Sequence, residues 1–231
     1  LILARITTRK PASYLLNKAY VGGTPFYVDE RVIVPRSFIG ELLRSGLFTG
    51  ADGHQLIEAE SVSSALDLCT GSGCLAILMA HHFPHAMIDA VDLSPDALDV
   101  ARINISESGL EDRIGLVEGD LFGPLTGNRY DLIITNPPYV SAQVMAALPP
   151  EYAHEPEMAL GSGEDGLDIT RRILAEAGRH LNPGGGLLCE IGEDREILEA
   201  EFPDLPFLWL DTEESSGEVF WLSAEDLGCE P

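Results

Sequence analysis

From Ser63 onward the chain alternates short apolar runs with stretches of helical spacing, and this alternation restricts the possible folds more than any other feature. Ala65-Leu66-Asp67-Leu68, Ala86-Met87-Ile88-Asp89-Ala90-Val91, Ile114-Gly115-Leu116-Val117, Tyr130-Asp131-Leu132-Ile133-Ile134-Thr135 and Leu187-Leu188-Cys189-Glu190-Ile191 are short enough for strands and apolar enough to be buried on both faces. The run Cys74-Leu75-Ala76-Ile77-Leu78-Met79-Ala80 is apolar all round, as a buried helix is. Ser94-Pro95 opens the next helix with an N-cap and a proline at its first position, and Ala97, Leu98, Ala101 and Ile105 continue it at helical spacing. Leu167 to Leu181 reads as a helix with Ile173, Leu174, Ala177 and Leu181 on one face, ended by Pro183-Gly184-Gly185-Gly186. Residues 194–202 form a weaker helix. Strands that alternate with helices pair in parallel beneath helices on both faces. Phe207-Leu208-Trp209-Leu210 and Val219-Phe220-Trp221-Leu222 read as a closing hairpin across the acidic turn 211–218. The expectation for 61–231 is therefore an α/β domain, a seven-stranded, mostly parallel sheet whose last strand is antiparallel.

Residues 1–24 read as the end of a helical segment, with Tyr14, Leu15 and Leu16 after Lys10-Pro11, broken by Gly22-Gly23. Residues 25–60 read as a connector. Phe26-Tyr27-Val28 and Arg31-Val32-Ile33-Val34 suggest a hairpin around Asp29-Glu30. Ser37 is an N-cap candidate for a helix reaching about Leu47, and 49–60 is a polar loop.

A chain of 231 residues suits one large α/β domain with a short appendage. It can bury roughly 70–75% of its unfolded surface without help from disulfides or a metal. The four cysteines show no C-x-x-C spacing, so neither a metal site nor a disulfide framework is expected. Cys69, Cys74 and Cys189 read as small buried thiols, and His81, His82 and His85 as a solvated helix end. No apolar run approaches the ~20 residues of a membrane span, and Leu1 to Arg5 is no signal peptide, which together point to the cytoplasm and no membrane partner. Lys and Arg number 14 against 38 acids, a formal charge of −24. Such a surface repels nucleic-acid phosphate and attracts basic proteins, although an acid-rich proteome would produce the same balance.

The loop after the first core strand is Asp67-Leu68-Cys69-Thr70-Gly71-Ser72-Gly73-Cys74. Its glycines let the backbone approach a ligand, and it feeds a helix N-terminus. The second strand ends at Asp92, where a carboxylate can accept both hydroxyls of a ribose. The pattern is that of a nucleoside-cofactor site. Ala76 satisfies the third small position of a dinucleotide fingerprint, but Asp67, four residues before Gly71, suits the cationic amino group of a methionine moiety, and Gly119-Asp120-Leu121 can border an adenine. After the fourth strand comes Asn136-Pro137-Pro138-Tyr139. Neither proline has an N–H to continue a ladder, so the strand stops at Asn136 and delivers its side chain to the carboxyl end of the sheet, where open α/β sheets bind ligands. A buried Asn before a locked turn reads as a rigid clamp for a planar group; the plainer reading is a turn capped by Asn.

Together these residues resemble the class I S-adenosylmethionine-dependent methyltransferases, with their Rossmann-like sheet, and among them the protein-glutamine N5-methyltransferases of the HemK family. The resemblance runs through Phe26-Tyr27-Val28-Asp29, Val34-Pro35-Arg36, Asp67 to Gly73, Asp92-Leu93-Ser94, Gly119-Asp120-Leu121-Phe122, Asn136 to Val140, and Glu155-Pro156-Glu157 through Gly166-Leu167. It implies S-adenosylmethionine as cofactor, held by Asp67, Cys69, Thr70, Gly71, Ser72 and Gly73, by Asp92, Leu93, Asp120 and Leu121, and by Asn136. It implies that Asn136, Pro137, Pro138 and Tyr139 hold the acceptor glutamine, that Asn136, Pro137 and Tyr139 act in catalysis, and that Arg36, Glu155 and the glycine-rich 161–166 segment line the pocket mouth. No metal is implied. Val34-Pro35-Arg36-Ser37 and His154-Glu155-Pro156-Glu157-Met158 look most like the branch that methylates ribosomal protein L3. The branch acting on peptide-chain release factors usually has Pro-Arg-Pro-Glu at the first place and Trp at the position of Leu121. Family members carry a helical N-terminal domain, of which residues 1–20 look like the last piece. An adenine-N6 nucleic-acid methyltransferase uses a similar clamp but needs Lys and Arg for phosphate. A non-catalytic scaffold of this fold would have no need of an intact glycine loop and Asn136.

Overall fold

Two short helices, α1 (Ile2–Thr8) and α2 (Ala12–Leu16), open the computed structural model, which describes residues 1–49, 55–213 and 215–229. They lead into an antiparallel hairpin of β1 (Ala19–Val21) and β2 (Thr24–Phe26). The hairpin expected at 26–34 is thus replaced by one at 19–26. Gly22 (φ +52°) and Gly23 (φ +76°), read from the sequence as a break, are its two-residue turn. A turn with both central residues left-handed matches the twist of the strands it joins, and glycine adopts it without a Cβ clash. Residues 27–38 form an irregular strap instead. The Tyr14 hydroxyl donates to the Val32 carbonyl (2.5 Å), and Asn104 bonds both the N–H and the C=O of Tyr27 (2.7 and 3.0 Å).

The helix expected from Ser37 to Leu47 is two pieces, α3 (Ile39–Leu42) and α4 (Gly46–Thr49). The Ser45 hydroxyl donates back to the Leu42 carbonyl (2.6 Å) and accepts from the Leu47 N–H (3.3 Å), so it ends one helix and starts the other. Of the expected 49–60 loop, residues 50–54 lie outside the described residues, as does Glu214 of the acidic turn.

The core strands and helices follow in alternation: β3 (Ser64–Leu68), α5 (Cys74–His82), β4 (Met87–Asp92), α6 (Pro95–Ser108), β5 (Ile114–Glu118), β6 (Tyr130–Thr135), α7 (Ala142–Met145), α8 (Asp168–Ala177), β7 (Leu181–Glu190), α9 (Arg195–Glu201), β8 (Leu208–Leu210) and β9 (Val219–Ser223). Seven strands form one sheet in the order β5-β4-β3-β6-β7-β9-β8, parallel except for β9, which runs against both neighbours. Successive residues of a strand serve opposite faces. Leu132 and Ile134 join Ile77, Met79 and Phe83 on the α5 side, while Ile133 joins Ile173 and Leu174 on the α8 side. The α6 helix starts as expected, with the Ala97 N–H donating to the Ser94 hydroxyl (3.2 Å). His82, expected on a solvated face, lies half-buried, edge-on to Phe48 and Phe83.

The helix expected over 167–181 ends at Ala177, with one 3₁₀ turn after it, and Pro183 to Gly186 lie within β7 instead of stopping a helix. Here the β6–β7 register slips between Tyr130 and Leu132, a place where a proline lacking an N–H is tolerated. A Cβ on Gly186 would fall 2.2 Å from the Trp221 ring of β9, and one on Gly185 2.6 Å from the Asp131 carbonyl oxygen of β6, so both neighbouring strands crowd these two positions.

The chain runs outward from β3 to β4 and β5, then returns to place β6 on the other side of β3. That reversal opens a crevice at the carboxyl ends of β3, β4 and β6.

Candidate active site

The loop leaving β3 turns through Cys69 (φ +59°), Gly71 (φ +55°) and Gly73 (φ +76°). Its closure depends on two carboxylates. Asp67 is fully buried beneath it, and one oxygen, Oδ2, accepts from the Thr70 hydroxyl (2.5 Å) and the Ala76 N–H (2.9 Å). Oδ1 has no hydrogen-bond partner within the protein. Burial pushes the Asp67 carboxyl up to about 7 against those two bonds. At the end of β4, Asp92 Oδ2 accepts from the Gly71 N–H (2.8 Å) and Oδ1 from the Ser94 N–H (2.9 Å). Each carboxylate oxygen has a second lone pair left to offer. Burial again raises this carboxyl above its ordinary value.

Above the loop lies a cavity of about 400 Å³. Its wall contains Cys69, Thr70, Gly71 and Ser72 of the loop, Asp92 and Leu93 after β4, Asp120 and Leu121 after β5, all four residues Asn136 to Tyr139, and Arg36 of the strap. Three of the expected site residues stand behind that wall: Asp67 and Gly73 under the loop, and Glu155 under the strap. The structure also contributes residues that motifs did not single out. Val32 and Ile33 of the strap cover Gly71, and Leu148, Tyr152 and Ile169 close the far side. These come from segments remote in sequence, and no local pattern marks them.

At the end of β6 the Thr135 hydroxyl donates to the Leu68 carbonyl (3.0 Å), tying the clamp strand to the loop strand. Asn136 is half-buried, where full burial was expected. Its Nδ2 donates to the Arg36 carbonyl at 2.7 Å. A carbonyl can only accept, so the amide nitrogen must lie on that side, and Oδ1 is the acceptor that Asn136 offers the cavity. The turn is backed from behind. Val140 N–H donates to the Leu160 carbonyl (2.8 Å) and Ser162 N–H to the Val140 carbonyl (3.0 Å). A Cβ on Gly166 would sit 2.3 Å from the Tyr139 carbonyl oxygen. The 161–166 segment, expected at the pocket mouth, thus supports the turn from its far side, and none of it lines the cavity.

Glu155 holds the strap. It accepts from the Arg36 guanidinium at 2.6 and 3.1 Å and from the Val34 N–H at 3.0 Å. Arg36 also lies over the Tyr152 ring, 5.1 Å from its centroid. The other arginine of the cavity wall, Arg31, is forked onto Asp29 (2.7–3.1 Å). Both wall arginines therefore already have carboxylate partners.

The methyltransferase small domain family matches residues 54–149. The ribosomal protein uL3 glutamine methyltransferase of Bradyrhizobium diazoefficiens is 62% identical over 228 residues, covering 98% of this chain and 72% of that protein. The chain belongs to the ribosomal protein uL3 glutamine methyltransferases. The Neisseria gonorrhoeae member is 59% identical over 217 residues, covering 94% of this chain and 71% of that protein. Membership in the uL3 glutamine methyltransferases agrees with the branch that Val34 to Ser37 and His154 to Met158 pointed to, and it makes the chain an enzyme. The fold is shared more widely. The human methyltransferase 10 domain containing protein superposes with a TM-score of 0.53 at 16% identity, over 96% of this chain and 91% of that one. This chain is thus built on a class I methyltransferase sheet, mostly parallel as the strand alternation led one to expect and of the kind the family resemblance implied.

Proposed function

We propose that the chain transfers a methyl group from S-adenosylmethionine to the side-chain amide nitrogen (N5) of a glutamine in ribosomal protein uL3. The observation that carries this reading is the Asn136 amide, held by the Arg36 carbonyl so that its oxygen faces the cavity at the carboxyl end of β6.

The cavity fits the cofactor. About 400 Å³ suits a nucleoside-sized ligand. Asp67 Oδ1 is a buried acceptor in need of a donor, as a cationic amino group or its bridging water is. Asp92 has lone pairs for ribose hydroxyls, and Asp120 and Leu121 border space for a base. When bound, S-adenosylmethionine supplies an electrophilic methyl group on a sulfonium.

The protein's own part is to make an amide nitrogen react. That nitrogen is a poor nucleophile because its lone pair is delocalised into the carbonyl. Asn136 Oδ1 and the Pro137 carbonyl each accept one N–H of the glutamine NH₂, orienting it and excluding rotamers that point the lone pair elsewhere. The same two acceptors stabilise positive charge as it develops on nitrogen, an effect worth ~2–4 kcal/mol. Proline at 137 and 138 keeps the two acceptors in fixed relation. Tyr139, half-buried against Gly192, supplies a flat side for the amide. The alkylated nitrogen is acidic enough to release its proton to water, so no residue is assigned as a general base.

The formal charge of −24 favours a basic acceptor such as a ribosomal protein. With Arg31 and Arg36 both paired to carboxylates, the described cavity wall offers no arginine to a nucleic-acid phosphate. Among the described residues no helix is long and apolar enough to cross a membrane; a ribosomal acceptor supports the reading of a cytoplasmic reaction.

The test offers labelled S-adenosylmethionine to uL3, to a release factor and to nucleic acid, and maps the product by mass spectrometry. One added methyl on a uL3 glutamine is expected, formed far more slowly, though still measurably, in Asn136→Ala. Label on the release factor or in nucleic acid would overturn the substrate, and an Asn136→Ala variant with a near wild-type rate would overturn the clamp.

A further inference from the structure

A buried carboxylate with no part in the motifs or the mechanism stands beside the clamp. Thr135 of β6 pairs with Cys189 of β7, so the next residues along, Asn136 just past β6 and Glu190 at the end of β7, lie at the same level on the carboxyl edge of the sheet. Glu190 is 1% exposed. Its Oε2 accepts from the Ser37 hydroxyl (2.7 Å) and from the Phe38 N–H (3.0 Å). Its Oε1 is buried without a hydrogen-bond partner. A buried acid with one bare oxygen is costly. The hydrogen bonds described for this side chain all go to the strap and the start of α3.

The strap is therefore pinned on both sides of Arg36. Glu155 takes the Val34 N–H and the Arg36 guanidinium, and Glu190 takes Ser37 and Phe38. Between the pins lies the Arg36 carbonyl, the group that fixes the Asn136 amide at 2.7 Å. That carbonyl shares a rigid peptide plane with the Ser37 nitrogen, so any shift of Ser37 turns it. Losing the contact frees Asn136 to rotate and present its NH₂, a donor, where the acceptor glutamine also brings donors.

We propose that Glu190 is a positioning residue for methyl transfer, acting through Ser37, Phe38 and the Arg36 carbonyl to keep the Asn136 oxygen turned toward the acceptor. The proposal rests on the reading of Asn136 as the clamp. It gives Glu190 no contact with either substrate. Its loss should therefore lower kcat and leave cofactor binding unchanged, and Gln, which keeps an acceptor oxygen, should substitute for it.

The test is a double-mutant cycle on steady-state methylation of uL3, with cofactor affinity measured separately by calorimetry. Glu190→Ala is expected to reduce kcat by about tenfold or more, with the Kd for S-adenosylmethionine within about threefold of wild type. Glu190→Gln should keep kcat within about threefold of wild type. In an Asn136→Ala background, Glu190→Ala should cost nothing further, because the group it acts on is gone. Independent, multiplying losses in the double variant would overturn the proposal, as would a Gln variant as slow as the Ala variant. A fully active Asn136→Ala would instead bring down the clamp reading itself. If Glu190→Ala does not fold, Ser37→Ala, which removes a single hydroxyl from the half-buried strap, carries the same cycle with the same deciding outcomes.

Discussion

Replacing Gly166 by Ala tests whether the Asn136 to Tyr139 turn is held from behind as tightly as the geometry says. Gly166 has φ +84°, and an added Cβ would lie 2.3 Å from the Tyr139 carbonyl oxygen, 3.1 Å from its carbon and 3.4 Å from the Ser141 nitrogen. Two costs follow. A β-carbon in the left-handed region costs ~1–2 kcal/mol. The contact with Tyr139 falls far inside the roughly 3.5 Å at which non-bonded atoms are comfortable, so the backbone must yield by about 1 Å, an overpacking cost of ~1–3 kcal/mol. Gly127 separates the two. Its φ is +83°, and nothing lies within 4 Å of its added Cβ, so Gly127→Ala carries the backbone cost alone. With ~2–4 °C of Tm per kcal/mol in a chain of this size, Gly166→Ala should melt about 10 °C below wild type and Gly127→Ala about 4 °C below. Thermal unfolding by circular dichroism gives both numbers. Methylation assayed well below both transitions should be slowed only in Gly166→Ala, because only that change moves the turn. Equal Tm values with normal kcat in both would show that the 161–166 segment yields freely and does not hold the clamp.

Glu190→Gln should stabilise the protein at high pH. Burial, with a smaller push from Glu218, raises the Glu190 carboxyl to about 7, so the native state holds its proton through a window in which the unfolded chain has lost it. Wild-type stability should therefore fall between about pH 4.5 and 7, and the Gln variant should gain ~2 kcal/mol at pH 8 and nothing near pH 4 in urea titrations. An unchanged slope in the variant would refute this, allowing for Asp67, which contributes a slope of the same sign. Asp131 shows the opposite linkage. Burial pulls its pKa up, but hydrogen bonds from Asn182, Ser63 and Ser64 outweigh it and leave the carboxyl below its ordinary value. Asp131→Asn should cost ~1–3 kcal/mol at pH 7. That penalty should disappear as pH drops below about 4 and the wild-type carboxylate protonates. Phe83→Ala empties a fully buried site edge-on to Phe48 and His82, and should lower unfolding free energy by ~3–5 kcal/mol with cofactor affinity unchanged in calorimetry on the folded variant.

What the sequence determined by itself is the part of the protein set by local physics. A parallel strand buried on both faces must be apolar along its length, so β3 and β6 stand in the letters almost residue for residue, and the outer β4 and β5, more exposed, keep enough apolar residues to be read as well. A polar residue ending such a strand must lie at the sheet's carboxyl edge, which is why Asp92 and Asn136 were legible as site residues, and the glycines of the 69–73 loop mark where backbone has to turn. The same rule would have flagged Glu190, an acid at the end of an apolar run. What only the tertiary structure decided depends on partners far away in the chain. Gly22-Gly23 could break a helix or turn a hairpin, and pairing of β1 with β2 chose the hairpin. Pro183 to Gly186 could stop a helix, and pairing of Leu181 with Tyr130 and of Gly186 with Leu132 and Ser223 carried them into a strand. Glu155 and Glu190 each lie more than a hundred residues from the strap they hold, and their roles follow from which donors that strap, at 34–38, brings to each carboxylate. Hydrogen bonds of that kind have no period and no spacing, because they are made by closing loops, and they exist only once the sheet has put β6, β7 and the strap side by side.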